Sequence, residues 1–164
     1  MSNSPFWHNL FRPIHKQNQT ICDLWLDTPI FDGISAGHCL KLANDMPIRR
    51  YDVGEPIFTQ GEIGIGTCLI LKGEVQICAG DKVLATMEEG DFFGEVALVI
   101  EAPRTATAMA SHECEIVFFL RPQLENLLSQ SPRLGCKLMQ NLARVMASRL
   151  GSTNALLEAQ HVNG

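Results

Sequence analysis

Between residues 48 and 121 short β-prone runs are cut by glycines at close intervals, and this feature restricts the fold more than any other. The runs are IRRYDV, PIFT, TCLILK, EVQIC, KVLATM, RTATAMAS and CEIVFFL; the breaks centre on Gly54, Gly61, Gly64, Gly66, Gly73, Gly80, Gly90 and Gly94. β-Branched and aromatic side chains suit a pleated, half-buried surface, and glycine lets a chain reverse within a few bonds. Many short strands spaced by about 8–12 residues predict an antiparallel sandwich or barrel. One segment breaks the pattern. Within Phe92-Phe93-Gly94-Glu95-Val96-Ala97-Leu98 the Glu-Val-Ala-Leu core is helix-like and long enough for about one turn.

The flanks read as helical. Ser4-Pro5 is a cap followed by proline in a first turn, and Phe6, Trp7, Leu10, Phe11 and Ile14 recur at helical spacing, with Pro13 limiting the length. This arm, residues 1–20, either packs on its own domain or offers a docking face to an effector protein. Short helices follow over residues 21–47, one carrying Cys22, Leu24, Trp25 and Leu26, the next capped by Ser35 and carrying Cys39, Leu40, Leu42 and Ala43. After the strands, Pro122 suits a first helical turn, and beyond Ser131-Pro132 a long amphipathic helix is predicted from Leu134 to about Gln160. Met139, Leu142, Met146, Leu150, Thr153 and Leu157 form one seam along it, which lies on the roll or pairs with a second copy, and both can hold for different parts of the helix. Gly151 interrupts the seam and softens the helix by ~1 kcal/mol relative to alanine. The expected fold is mixed α+β: an antiparallel β-roll (a double-stranded jelly roll) flanked by N-terminal helices and a long C-terminal helix. The expected divisions are a helical arm over 1–20, the roll with its short helices over 21–131, and a lid or dimerisation helix over 132–164.

Charge excludes some functions. Residues 52–131 carry thirteen acidic and four basic side chains, whereas residues 132–164 carry four basic and one acidic. An acidic domain repels a phosphate backbone, so nucleic acid is not an expected partner. No apolar run approaches the roughly 18 residues that span a bilayer, and the polar start with a proline in its apolar part is unlike a signal peptide, so no membrane insertion and a cytoplasmic location are expected. The six cysteines (Cys22, Cys39, Cys68, Cys78, Cys114, Cys136) lack C-x-x-C spacing, and the histidines form no ligand pair. They read as small buried hydrophobes, with no metal site.

One constellation carries chemistry. Gly90 to Leu98 leads through glycine into a single helical turn, which offers free backbone N–H groups to an anion. Nine residues after Glu95 stands Arg104, the only basic residue between Lys82 and Arg121. Its fork of donors suits a phosphate, and the Thr105 hydroxyl lies beside it. The Glu95 carboxylate is wrong for phosphate but is a good acceptor for a ribose hydroxyl. Together these fit a small sugar phosphate.

The order of these pieces resembles the cyclic-nucleotide-binding domain family, which includes the bacterial catabolite activator, protein kinase A regulatory subunits and cyclic-nucleotide-gated channels. Tyr51-Asp52-Val53-Gly54-Glu55-Pro56-Ile57-Phe58 with Gln60-Gly61 resembles its first strand pair, Leu69-Ile70-Leu71-Lys72-Gly73-Glu74-Val75 its central hairpin, and Gly90–Leu98 through Pro103-Arg104-Thr105-Ala106-Thr107 its phosphate-binding cassette. The resemblance spans about residues 24–157. It implies that Glu95 accepts from the ribose 2′-hydroxyl, that Arg104 meets the exocyclic phosphate oxygens, and that the backbone of Gly94, Val96 and Ala97 closes on the same phosphate. Thr105 would assist and could reach the base, where a hydroxyl in the gated channels favours guanine. Ala147-Ser148-Arg149-Leu150 and Ser152-Thr153-Asn154 resemble the catabolite activator's dimer helix, which would bring Thr153 and Asn154 to the base from the lid or from a partner subunit. Three features depart from the pattern: Cys68 replaces a usual aromatic residue, the Glu62–Gly66 turn lacks the usual aspartate, and the last helix offers no ring to stack on a base.

The implied function is a regulatory module that binds cAMP or cGMP, performs no chemistry on it, needs no cofactor beyond that ligand, and forms a homodimer through the C-terminal helix. About 43 residues follow the roll and the long helix takes nearly all of them, so a DNA-binding domain is not expected within this chain. Arg104, kept for a ligand, is expected to contribute little to the apo core. The alternatives are a degenerate roll serving as a dimerisation or scaffold module, and the same pocket sensing another small anion.

Overall fold

The computed structural model describes residues 14–162. The expected cap at Ser4-Pro5 and the stripe of Phe6, Trp7, Leu10 and Phe11 lie outside the described residues. Helix α1 (Ile14–Leu26) runs without a break across residues 20 and 21, where the arm was expected to end, and is followed by a 3₁₀ turn (Pro29–Phe31) and helix α2 (Ala36–Ala43). Ser35 caps α2 by accepting from the His38 N–H, satisfying one donor that a helix start leaves open. Eight strands follow: β1 (Ile48–Tyr51), β2 (Pro56–Phe58), β3 (Gly66–Lys72), β4 (Val75–Ala79), β5 (Lys82–Met87), β6 (Phe92–Phe93), β7 (Thr107–Ala110) and β8 (Cys114–Leu120). The one-turn helix α3 (Val96–Val99) sits between β6 and β7, and α4 (Arg121–Gln130) and α5 (Pro132–Val162) close the chain. The two-residue strand β6 was not expected from the sequence.

The strands form two four-stranded antiparallel sheets, ordered β1-β8-β3-β6 and β2-β7-β4-β5. Side chains on a strand alternate between faces, so a strand covered on both sides must be apolar throughout. TCLILK and CEIVFFL meet that demand except at Lys72 and Glu115 near their ends, and β3 and β8 pair at the centre of the first sheet. Cys68, Ile70 and Ile116 point into the roll with Tyr51, Val75, Phe93 and Ala108. Leu69, Val117 and Phe119 point the other way, into a second core built with Trp25, Phe31, Leu124, Leu138 and Leu142. Trp25 stacks on Phe31 at 5.0 Å between ring centres, and Phe119 meets both rings edge-on. Neighbours in strand β6 divide in the same way, Phe92 to the helical core and Phe93 to the interior of the roll.

Helix α5 departs from the expected seam. It is continuous through Gly151, and its buried face is Leu138, Asn141, Leu142 and Val145. Asn141 is 1% exposed and donates to the Ile30 and Asp32 carbonyls at 2.8 Å each, tying the helix to the 3₁₀ turn. Leu142 therefore belongs to this chain's own core and is unavailable to a second copy. Beyond Arg149 the helix leaves the body of the protein, and Leu150, Leu156 and Leu157 are exposed. The cysteine expectation also needs one correction. Cys22, Cys39, Cys68 and Cys114 are buried, Cys78 is half-buried, and Cys136 is exposed on α5. Among the described residues no helix is long and apolar enough to cross a membrane.

Candidate functional site

A cavity of about 490 Å³ opens between the inner face of the second sheet and the segment from Phe93 to Ala106. Its size lies within the range of about 300–1,000 Å³ usual for small-molecule sites. Strand register builds the floor: Ile77 lies opposite Ala85 in the β4–β5 ladder, and Met87 follows two residues on, so their side chains share one face. Phe58 and Phe93, 5.8 Å apart, form one end. Gly94, Glu95, Val96, Ala97, Arg104 and Thr105, six of the residues singled out in the sequence, line the wall beside them.

The turn at Gly94 requires a left-handed backbone (φ +76°), and a Cβ there would fall 2.5 Å from Arg104 Nη1. Both the turn and the packing therefore favour glycine. The chain then enters α3. The Ala97 and Leu98 N–H groups are used internally, donating to the Gly94 and Glu95 carbonyls. The N–H groups of Glu95 and Val96 have no acceptor among the described residues. With only one turn, α3 offers an anion these donors rather than a developed dipole.

Arg104 is more deeply built in than the sequence suggested. Its Nη1 donates to the Gly94 carbonyl at 3.1 Å and its Nη2 to the Gly66 carbonyl at 2.8 Å, while the guanidinium lies 4.0 Å from the centre of the Phe58 ring. It thus holds the cassette against β3, which overturns the expectation that it adds little to the apo structure. Two of its five N–H groups are used in this way, and three remain for a ligand. Burial pulls its pKa below the usual guanidinium range, opposed mainly by Cys68, Glu62 and Glu95; it still carries its charge at neutral pH. Cys68 lies beneath, and burial pushes its thiol up to about 12. This small side chain occupies the position where the resemblance leads one to expect an aromatic ring.

Glu95 is 5% exposed, and a carboxylate so buried requires a partner. The partner is Arg149, whose Nη1 stands 2.6 Å from Glu95 Oε2 and whose Nη2 donates to the Phe92 carbonyl at 3.1 Å. The same guanidinium sits 4.7 Å from the centre of the Phe92 ring. Arg149 comes from α5, 54 residues away in sequence, and the sequence reasoning gave it no role. The signal was the charge asymmetry: the acidic roll holds few cations to pair with a buried carboxylate, and the C-terminal helix carries the surplus. Thr153 and Asn154 are not brought to the cavity. They are exposed one turn beyond Arg149, and the Thr153 hydroxyl donates to the Arg149 carbonyl at 2.9 Å.

Comparison with known proteins places this geometry in context. Residues 48–131 match the profile of the family described as cyclic nucleotide-binding domain. A cAMP-dependent protein kinase regulatory subunit of Schizosaccharomyces pombe is 28% identical over 94% of this chain and 36% of its own length. The crystal structure of the Thermus thermophilus catabolite activator protein superposes with a TM-score of 0.71 at 27% identity, covering 82% of this chain and 63% of that one. A solved chain described as cAMP-bound PfPKA-R superposes with a TM-score of 0.62 at 27% identity, over 84% of this chain and 49% of its own. The chain spans 17%, 36% and 61% of the lengths of three curated relatives it matches, each of which extends beyond the shared region.

Proposed function

Because the chain belongs to the cyclic nucleotide-binding domain family, we propose that it is a regulatory module that binds a 3′,5′-cyclic nucleoside monophosphate, cAMP or cGMP, and reports its occupancy through α5. The observation that carries this reading is the grouping of complementary partners in one cavity: the Arg104 guanidinium, the open N–H groups of Glu95 and Val96, and the buried Glu95 carboxylate. The phosphate meets Arg104 and the amides, with Thr105 alongside, and a ribose hydroxyl donates to Glu95. The module binds its ligand and does not transform it. The relatives named for cAMP, and the neighbour described as cAMP-bound, support that ligand class.

Reporting follows from the Glu95–Arg149 pair. A ribose hydroxyl that donates to Glu95 shares the carboxylate with Arg149, the side chain that ties it to α5. Ligand entry therefore changes how firmly α5 is held. We further propose that α5 pairs with a second copy through its exposed distal half, around Leu150, Leu156 and Leu157, and that residues 1–20 include the surface for an effector protein. Titration of isotopically labelled chain with cAMP and then cGMP, followed by amide NMR, tests the reading. Resonances of Gly94, Glu95, Val96 and Thr105 are expected to move, together with those flanking Arg149. Movement confined to other regions would remove the assignment, and no movement with either nucleotide would favour a ligand-free scaffold.

A further inference from the structure

A hydrogen-bonding inventory of the cavity separates it into two halves. Among the described residues, the side chains on its wall that carry hydrogen-bonding atoms are Glu95, Arg104, Thr105 and Arg149. Glu95 and Arg149 bind each other, and Arg104 is tied to Gly94 and Gly66. Thr105 follows Arg104 and stands exposed at the rim. The rest of the wall is apolar, with Ile77, Ala85 and Met87 on the floor and Phe58 and Phe93 beside Arg104 at the polar end. Backbone polar groups of the floor lie in the plane of the sheet, where β4 is paired on both sides and the edge strand β5 on one, so its face presents side chains alone.

We infer that this pocket holds the base by shape and dispersion, and therefore discriminates poorly between a 6-aminopurine and a 6-oxopurine. The inference rests on the cyclic-nucleotide reading above. Adenine and guanine have nearly the same outline and differ in the donors and acceptors on one edge. A site built around a hydrogen bond can reject an analogue lacking it by about 10⁴-fold, whereas an apolar wall rejects an isostere by at most about a hundredfold. With phosphate and ribose using the polar half, the base meets the apolar half, and cAMP and cGMP are expected to bind within about tenfold of each other. The expected base contacts Thr153 and Asn154 lie outside this cavity, so the one α5 side chain on its wall among the described residues is Arg149, which is held by Glu95 and the Phe92 carbonyl.

The test is calorimetric titration of the full chain with cAMP, cGMP and inosine 3′,5′-cyclic monophosphate, repeated on Met87→Ala and on a Thr153→Ala/Asn154→Ala double variant. Three dissociation constants within about tenfold are expected, with a ratio unchanged in the double variant and a base-blind weakening of about three- to tenfold in Met87→Ala. A wild-type spread above tenfold overturns the inference while leaving cyclic-nucleotide binding intact. If that spread disappears in the double variant, the reader is on α5. Met87→Ala with no effect, or with an effect on one purine only, overturns the placement of the base. Failure of all three nucleotides to bind removes the cyclic-nucleotide reading itself.

Discussion

Replacing Arg104 with alanine is expected to alter both ligand binding and the apo structure, and the two effects can be measured apart. The guanidinium donates to two backbone carbonyls at 3.1 and 2.8 Å and stacks 4.0 Å from the Phe58 ring centre. Hydrogen bonds from a charged donor contribute about 1.5–3 kcal/mol each, but water can enter this open cavity and satisfy the carbonyls, so a net loss of ~1–2 kcal/mol is the reasonable figure. For a domain of this size that corresponds to a melting-temperature drop of ~2–8 °C, well short of unfolding. Binding loses a charge-assisted contact to phosphate of ~1.5–3 kcal/mol, or about ten- to 150-fold in dissociation constant. Arg104→Lys keeps the charge without the planar fork, so it cannot hold Gly94, Gly66 and phosphate together. It is expected to recover part of the affinity and little of the stability. Thermal melts of both apo variants, with cAMP titrations at 25 °C, separate the effects. An alanine variant that binds within twofold of wild type would refute the phosphate assignment, and one that melts as wild type would refute the structural role.

Other outcomes follow from the same contacts. Arg149→Ala leaves the buried Glu95 carboxylate without its guanidinium partner, at a cost of ~1–2 kcal/mol, less than for a fully buried pair because Arg149 is 43% exposed. Hydrogen exchange in the distal half of α5 should then rise in the apo protein, and unchanged exchange would show that the pair does not hold the helix. Leu142→Glu is expected to destabilise the monomer by several kcal/mol, since Leu142 is 1% exposed in the helical core. Leu150→Glu with Leu157→Glu should spare the melting temperature of the monomer and abolish self-association in sedimentation at tens of micromolar; a wild-type monomer under those conditions contradicts the dimer proposal. A thiol-alkylating reagent at neutral pH should modify Cys136 quickly and Cys68 only on unfolding. Because burial raises the Cys68 thiol from 9.0 to about 12 in the folded state, its contribution to stability is complete below pH 9 and is lost as pH climbs toward 12. A Cys68→Ala variant should show a shallower alkaline decline, and an equal decline would assign the effect elsewhere.

The sequence made the strands legible because the physics that builds them is local. KVLATM and CEIVFFL coincide with β5 and β8, and the doubly buried β3 and β8 carry the continuous apolar runs that their position demands. β6 escaped notice because two phenylalanines cannot display a period, and their opposite facing appears only when β3 lies beside them. On α5 two stripes of the same spacing compete, one through Met139 and Met146, the other through Leu138, Asn141 and Val145, and both include Leu142. The second is buried, and the polarity of Asn141 disguised it; only the carbonyls of Ile30 and Asp32 make that amide a core residue. The site divides along the same line. The cassette residues are close in sequence and could be read together, whereas Arg149 and the carbonyl partners of Arg104 are brought by the fold.

Isothermal titration of the wild-type chain with cAMP and with cGMP tests the central claim most directly. One site per chain is expected, with a dissociation constant of about 1 μM or tighter, a free energy near −8 kcal/mol supplied by the phosphate, ribose and base contacts together. Binding weaker than about 1 mM for both nucleotides would contradict it, because those contacts would then contribute less than about half that free energy.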